Sequence, residues 1–571
     1  MTAPCVAAVV GLSAVFIGHS STGGSPVHWR WDDALVAAGG LGAAGLAQPA
    51  AAAPARRPGK LTWLVGDHHV HTQYSHDAKY KVNQQLDAAQ RHGVDWLVFT
   101  EHSNTGHRKQ GIYDQYEELQ RERSRRNMLI FQGIEWYIPS VEHCTVFTTP
   151  SRRALETLRA FELVYDGKLN AWEKAPRGSS DEAAWEQKAV EAITWLGEQK
   201  KRGLIGDALV FANHPMRLGI DSPHEMRNWR DADPHIMIGM EGAPGAQGYG
   251  VGKNVDPGDQ RGEHGNKPSD YSWLGYTEDM MRPWGGFDWM TATVGGMWDS
   301  MLAEGKPFFI TTNSDNHLTV KDTWKFDASK YPQVEPWLSG KSEFDKFNVI
   351  GRRPYPVATD EPQGGSDFWP GQFSRNHVGA TSRSYSAVME ALRAGRSWVD
   401  HGHLLQGFDV QVSARRGRGK GDAWGNIAGL GDRVRVRRGQ DVQVTMAVTT
   451  TDYANFAGIV PELAHVDIIG GPVTGRVLDR DGFRAPQTTV MKSFDTTGRR
   501  GTFTLSHVFR DVEESFYIRF RGSDGNRHGA GYFGRSVDPH GPIRHGNEIG
   551  DANPWADTWF YANPIFVDVT R

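Results

Sequence analysis

Residues 67 to 77 read DHHVHTQYSHD, placing four histidines and two aspartates within eleven positions. In an extended strand alternate side chains share a face, so His69 and His71 point the same way while Val70 turns to the other side. Two imidazoles on one rigid edge make half of a transition-metal site. A turn through Tyr74 and Ser75 brings either His76 or Asp77 back toward the same point, and the spacing leaves that choice open. A chain with 23 histidines also holds chance clusters. The segment therefore needs partners elsewhere before it implies chemistry.

The partners lie at the ends of apolar runs. From Leu61 onward strand-like and helix-like segments alternate, the pattern of an α/β domain. Residues 82 to 92 put Val82, Leu86 and Ala89 on one helical face, and Gly93 supplies the stop. The strand-like DWLVFT (95–100) runs into EHSN and delivers His102, and LIFQGIE (129–135) delivers Glu135. VEHCTVFT (141–148) carries His143. After a helix-like stretch over 183–201, ALVFANHP (208–215) brings in His214. After another over 298–302, FFITTNSDNH (308–317) ends in Asp315 and His317. In α/β folds, sites form at the carboxyl ends of strands. One strand with a metal-competent terminus is a coincidence, whereas a series of them is expected to converge on one site.

The order H-x-H, (H)D, EH, GxE, H, NHP and SDNH, spread over residues 61–403, resembles the polymerase and histidinol phosphatase (PHP) superfamily of metal-dependent phosphoesterases. The resemblance implies an α/β fold, a distorted (β/α)7-type PHP barrel, followed here by a smaller all-β sandwich-like domain. It implies two to three divalent transition metals, zinc, manganese or iron, and mixed nitrogen and oxygen ligands do not choose among these. It assigns His69, His71, Glu135 and Asp315 to one ion, and makes Glu135 the bridge to a second ion held by His143 and His214. A third ion falls to Asp77, His102 and His317, the family's spacing favouring Asp77 over His76. Asp67, just before the histidine pair, is expected to orient a ligand or a strand end.

The implied reaction is hydrolysis of a phosphomonoester or phosphodiester, small or polymer-linked, by water activated between metals. Glu135 and Asp315 are then catalytic through the metals. Arg217, three residues after His214, is placed to reach a bound phosphate. An amide, lactone or glycan-linked ester is an alternative target, because fold does not determine which bond is cut. A non-catalytic binding protein that keeps metals for structure is a third reading. Arg108 and Lys109 follow His102 on a loop expected to face the site, and His107 and His264 read as loop histidines. Cys144 should turn away from its neighbour His143 and serve the core rather than act as a nucleophile. The Gly-rich insertion over 241–296 is either a lid or a packed excursion.

At 571 residues the chain exceeds one typical domain. Three parts are expected: a leader and linker (1–59), the barrel with insertions (60–403) and the β domain (404–571). The Ala/Gly-rich stretch 34–53 ends in small residues before PARRP and fits an export signal, although no twin arginine precedes it. The apolar run over 6–18 is shorter than the ~20 residues a span needs, so no stable membrane span is expected. Cys5 leaves with the leader and Cys144 remains alone, which precludes an internal disulfide. A net charge of −4 and one short basic run, RRGRGK (415–420), argue against binding nucleic acid by bulk charge. The oligomeric state is left open. After His317 a Pro-rich excursion leads to Asn376, a last helix spans 383–394, and SWVDHG (397–402) closes the barrel. Beyond residue 404 come short period-2 runs, FDVQV, VQVTMAV, VDII and FYIRF, separated by Gly and Asp turns. FYANPIFV (560–567) is expected to be the last strand of this region or an edge returning to the barrel.

Overall fold

The computed structural model describes residues 61–78, 80–245, 268–281, 286–317, 368–415, 424–455, 460–524 and 558–570. The leader, His264, residues 318–367 of the Pro-rich excursion, nearly all of the basic run and the centre of the 241–296 insertion lie outside them. The expected strands form β1 (Thr62–Val70), β2 (Trp96–His102), β3 (Leu129–Tyr137), β4 (His143–Thr148), β5 (Ala208–Ala212) and β7 (Phe309–Thr312), and a strand not anticipated from the sequence, β6 (Met237–Ala243), lies between the last two. They neighbour one another in chain order within one sheet. β1 to β3 run parallel, as do β5 to β7, while β4 is antiparallel to both its neighbours. His143 therefore opens its strand instead of ending it. Because β4 enters where the others leave, His143 still lies on the same rim as the ends of β3 and β5.

On the other side β1 pairs antiparallel with β8 (Ser374–Ala380), which pairs with β9 (Ser397–His401). The helices are α1 (Val82–Arg91), α2 (Ile112–Arg123), α3 (Arg152–Tyr165), α4 (Ser180–Lys201), α5 (Pro223–Ala232), α6 (Trp289–Ala292), α7 (Met297–Ala303) and α8 (Tyr385–Arg393). Ser151, Ser179, Ser222 and Ser384 each accept a hydrogen bond from an amide in the first turn of the helix that follows, satisfying a donor the helix leaves free. Trp96, Phe131, Phe147, Phe211, Ile238 and Val378 belong to one buried apolar cluster together with the apolar face of α8. Arg383 donates to the carbonyl of Asn127 just before β3, and Arg393 to that of His235 just before β6. α8 thus sits against the amino ends of the strands, opposite the rim that carries His102, Glu135 and His214. Gly66 is required where β1 passes Trp96, because a Cβ there would lie 1.9 Å from the indole.

The C-terminal runs become β10 (Leu405–Arg415), β11 (Trp424–Ala428), β12 (Arg433–Arg437), β13 (Gln440–Thr450), β14 (His465–Pro472), β15 (Thr489–Asp495), β16 (Thr502–Val512), β17 (Phe516–Ser523) and β18 (Trp559–Thr570). β11, β10, β13 and β16 form a separate four-stranded sheet. It packs through Val410, Val444 and Met446 on residues such as Ile468, Ile518 and Ile565 of β14, β17 and β18. The second layer of this sandwich is an extension of the barrel sheet, because β18 pairs with β9 as well as with β17. FYANPIFV is therefore both a late strand of the β region and an edge against the barrel. The fold is mixed α/β with a large C-terminal β-rich region.

Candidate metal centre

β1 does not keep strict alternation to its end. Its register against β2 shifts between Asp67 and Val70. His68 stacks on Phe211 at 5.0 Å between ring centroids and bonds Thr311, while Val70 joins a different apolar cluster with Leu97 and Phe99. His69 and His71 share a side as the spacing predicted, with their Nε2 atoms 2.9 Å apart. Asp67 acts as the sequence suggested, one oxygen accepting from the His69 amide and the other from the Ser314 amide. It thereby ties the start of the histidine pair to the loop after β7.

Glu135, at the rim end of β3, is the hub. Its carboxylate oxygens lie 3.3 Å from His69 Nε2, 3.2 Å from His71 Nε2, 3.1 Å from His102 Nδ1, 3.0 Å from His143 Nδ1 and 3.1 Å from His214 Nε2. Asp315 Oδ1 is 3.1 Å from His69 Nε2 and 3.4 Å from His71 Nε2. His102 Nε2 is 3.2 Å from Asp77, and His317 Nε2 is 4.0 Å from it. All nine residues expected as ligands thus meet on one rim. His76 lies beside Asp77, at 3.6 Å, but it is Asp77 that groups with His71, His102 and His317.

The partition into three ligand sets is looser than the resemblance implied. His69, His71, Glu135 and Asp315 group as expected. His71 also belongs with Asp77, His102 and His317, and His102 groups with Glu135 and His143. His143 and His214 group with Glu142, a residue not singled out in the sequence. The hub carboxylate and three shared imidazoles, those of His71, His102 and His143, make one fused cluster.

These donors fit metal. Ligands about 2.0–2.2 Å from a common ion stand roughly 3–3.5 Å from one another, and the first set spans 2.9 to 3.4 Å. His102 Nδ1 is buried without a hydrogen bond although Glu135 is 3.1 Å away, a geometry that suits a shared cation better than a shared proton. Burial works against a proton on His69, yet Asp315, Glu135 and Glu241 outweigh it and hold its pKa well above the ordinary value. That same field attracts a divalent cation. Burial pushes His102 the other way, down to about 3 despite Asp77 and Glu135, leaving it neutral and able to ligate. Burial also opposes the charge on Glu135, but the surrounding imidazoles hold its carboxyl well below the usual range.

Two ligands sit on strained backbone, His214 at φ 28° and Asp315 at φ 45°. Such conformations persist where surrounding contacts over-determine them. The Asp315 amide donates to the His69 carbonyl, and the His71 amide to that of Asn316.

Residues 67–194 match the PHP domain family. The chain contains a PHP domain. The match spans six of the nine ligands, and the last three enter from strands and loops beyond it. No curated protein matches the chain. Among solved structures it is similar to a two-domain protein of Bacteroides vulgatus described as containing a predicted PHP-like metal-dependent phosphoesterase. That similarity has 14% identity and a TM-score of 0.28, over 86% of this chain and 98% of the other. It is also similar to endonuclease Q, solved with a 27-mer duplex bearing an abasic lesion, at 10% identity and a TM-score of 0.27, over 58% of this chain and 57% of the other.

Sequence reasoning missed Glu241 at the PHP rim, having read it only as the start of the insertion. It closes β6, takes a 2.7 Å hydrogen bond from His69 Nδ1 and accepts from the His214 amide at 2.7 Å. This directs His69 Nε2 toward the cluster, as carboxylates behind metal-binding histidines do. Ser75 does the same for His71, 2.9 Å from its Nδ1. The signal was present, since MIGMEGA is another apolar strand ending in a carboxylate.

Arg217 lies on the rim with its side chain 31% exposed, and its Nη1 donates to Glu142 at 3.0 Å. Arg108 and Lys109 fall on a turn of π-helix, residues 107–111, that leads into α2. His107 is not a surface loop histidine. It is fully buried and 3.0 Å from Glu162. Cys144 is buried in the apolar cluster outside the barrel, and burial pushes its thiol well up. Within the described parts of the 241–296 insertion, Tyr276, Phe287 and Trp289 are buried in that same cluster, while Leu274 stands exposed.

Proposed function

We propose that this protein is a metal-dependent hydrolase of phosphoesters, acting on a phosphomonoester or phosphodiester. The observation that carries the reading is the fused ligand cluster about Glu135, assembled on a PHP domain. Two or three divalent ions of the zinc, manganese or iron kind, held by these ligands, would acidify a water and offset charge on a phosphoryl group.

The protein's own groups supply the rest. Glu135, 1% exposed, binds from the buried side, whereas Asp77 is 37% exposed. Substrate therefore approaches past Asp77, His102 and His317. Arg217, anchored through Nη1 on Glu142 and 31% exposed, is the guanidinium in this region that would hold phosphoryl oxygens. Glu241 and Ser75 keep His69 and His71 in the ligating orientation. Cys144, buried and held as a thiol, takes no part.

The test is a panel of phosphomonoester, phosphodiester (a duplex oligonucleotide included) and carboxylic ester substrates, run on purified protein reconstituted with each metal. Phosphoester turnover that a chelator abolishes and divalent ions restore is the expected result. Turnover of carboxylic esters alone would move the protein to the second reading, a metallohydrolase of a non-phosphate bond. Export belongs to the same proposal and rests on residues 34–53. Among the described residues no helix is long and apolar enough to cross a membrane.

A further inference from the structure

β7 is the terminal strand of the sheet, hydrogen-bonded along one edge to β6. Its other edge would expose the amides and carbonyls of Ile310 and Thr312 inside the protein, where unpaired backbone groups are rarely tolerated. No strand pairs with that edge among the described residues. Two asparagine side chains do. Asn563 of β18 accepts from the Ile310 amide at 2.8 Å and donates to the Ile310 carbonyl at 3.2 Å. Asn376 of β8 accepts from the Thr312 amide at 2.8 Å and donates to the Thr312 carbonyl. A primary amide presents the donor and acceptor of a peptide group, so two of them at alternate residues replace a missing strand. The spare N–H of each amide is also used, by Ser397 of β9 and by the Gly66 carbonyl of β1.

Asn563 is aimed inward by a local irregularity. The pairing of β18 with β17 shifts register there, Ile565 facing Ile518 and Ala562 facing Phe520, and Pro564 follows with no amide to donate. Such bulges re-aim a side chain. Both asparagines are buried, at 0% and 1% exposure. Three residues beyond Thr312 stands Asp315, and two further on, His317.

We infer that the C-terminal β region is part of the metal centre's scaffold: Asn563, with Asn376, locks β7 and so positions Asp315 and His317. Asn563 is a positioning residue, acting through β7, and nothing in the sequence of the barrel alone supplies it. The inference rests on reading the cluster as a metal centre. It separates from that reading experimentally, because one concerns whether the intact chain binds metal and the other concerns what Asn563 adds.

The experiment compares the full-length chain with Asn563→Leu, which keeps the volume and removes both bonds to β7. Metal affinity is followed by titration with Zn²⁺ or Mn²⁺, and amide hydrogen exchange is followed peptide by peptide. Losing the partners of two buried backbone groups should weaken metal binding by about tenfold or more. Exchange should quicken selectively over residues 309–317, with β13 and β16 unchanged. A folded variant with wild-type affinity and unchanged exchange at 309–317 overturns the inference. If the variant does not fold, the wild type decides it: metal loading must slow exchange in the 559–566 segment of β18, since coupling between sites is reciprocal. Metal loading that leaves that segment unaltered also overturns the inference. A wild-type chain that takes up no metal would instead defeat the metal-centre reading itself.

Discussion

Two regions of this molecule handle buried charge in opposite ways. Where α7 and the barrel meet β14 and β17, every buried carboxylate has a guanidinium. Asp299 takes both prongs of Arg519 at 2.7 Å, and Asp467 takes Arg521 at 3.0 Å. Arg519 also lies over the Trp298 ring and Arg521 over Trp559. Arginine is always charged and its fork matches a carboxylate, so these pairs are complete within the chain. At the rim, Glu135 and Asp315 are surrounded by imidazoles, which carry charge only when protonated. The one described arginine beside them, Arg217, is held by Glu142. The first region compensates its own charge and is a structural joint. The second leaves its charge for an incoming cation, which makes it a site.

The widest separation between the two comes from removing one carboxylate in each. Glu135→Ala should lower metal occupancy and turnover by more than a hundredfold, beyond the 10–100-fold that outer carboxylates contribute, while the fold survives. Asp299→Ala should destabilise the protein by about 3–5 kcal/mol, because Arg519 is left buried and unpaired, while the folded fraction keeps its metals. Elemental analysis, turnover and denaturant titration read both. A Glu135 variant that keeps its metals, or an Asp299 variant that loses only metal, would erase the distinction.

A narrower contrast lies inside the site. Asp77→Ala should lose one metal and most turnover, whereas His76→Ala should remain largely active, since Asp77 and not His76 groups with His71, His102 and His317. Metal content measured beside rate decides it, and the reverse pattern would hand the ligand role to His76.

The smallest expected difference is one of pH. Burial alone would raise Asp467, but His465 and Arg521 hold it at about 2 against an ordinary 3.8. A depressed carboxyl contributes stability that is fully present above the unfolded value and is lost as pH falls through the folded one. The joint should therefore weaken only between about pH 4 and 2. Metal should leave earlier, once protons compete for imidazoles whose ordinary pKa is about 6.5. Metal release followed against circular dichroism should show two steps, and a single coincident step would mean that the joint depends on the metals.

Much of the site was legible because a strand's end shows in sequence as an apolar run followed by a polar ligand. That local signal picked out His102, Glu135, His214, Asp315 and His317 as side chains that meet at one rim, along with the helix stop at Gly93 and the buried place of Cys144, whereas Asp77 over His76 came only from the family resemblance. It failed where the argument required knowing which strands are neighbours. β4 is antiparallel, so His143 begins its strand. His107 reads as a loop residue until Glu162, 55 positions away, buries beside it. Glu241 was passed over because a single carboxylate after an apolar run is common, and only the approach of His69 and of the His214 amide gives it a task.

The sequence by itself determined the donor types, their order and the alternation of strands and helices, because each depends on residues close together in the chain. Only the tertiary structure decided that His71, His102 and His143 are shared between ligand sets and that the β region continues the barrel sheet. It alone also decided that Asn563 stands in for a strand beside Ile310. Those outcomes depend on contacts between residues up to 253 positions apart, and no local periodicity records which distant side chain will meet a given backbone group.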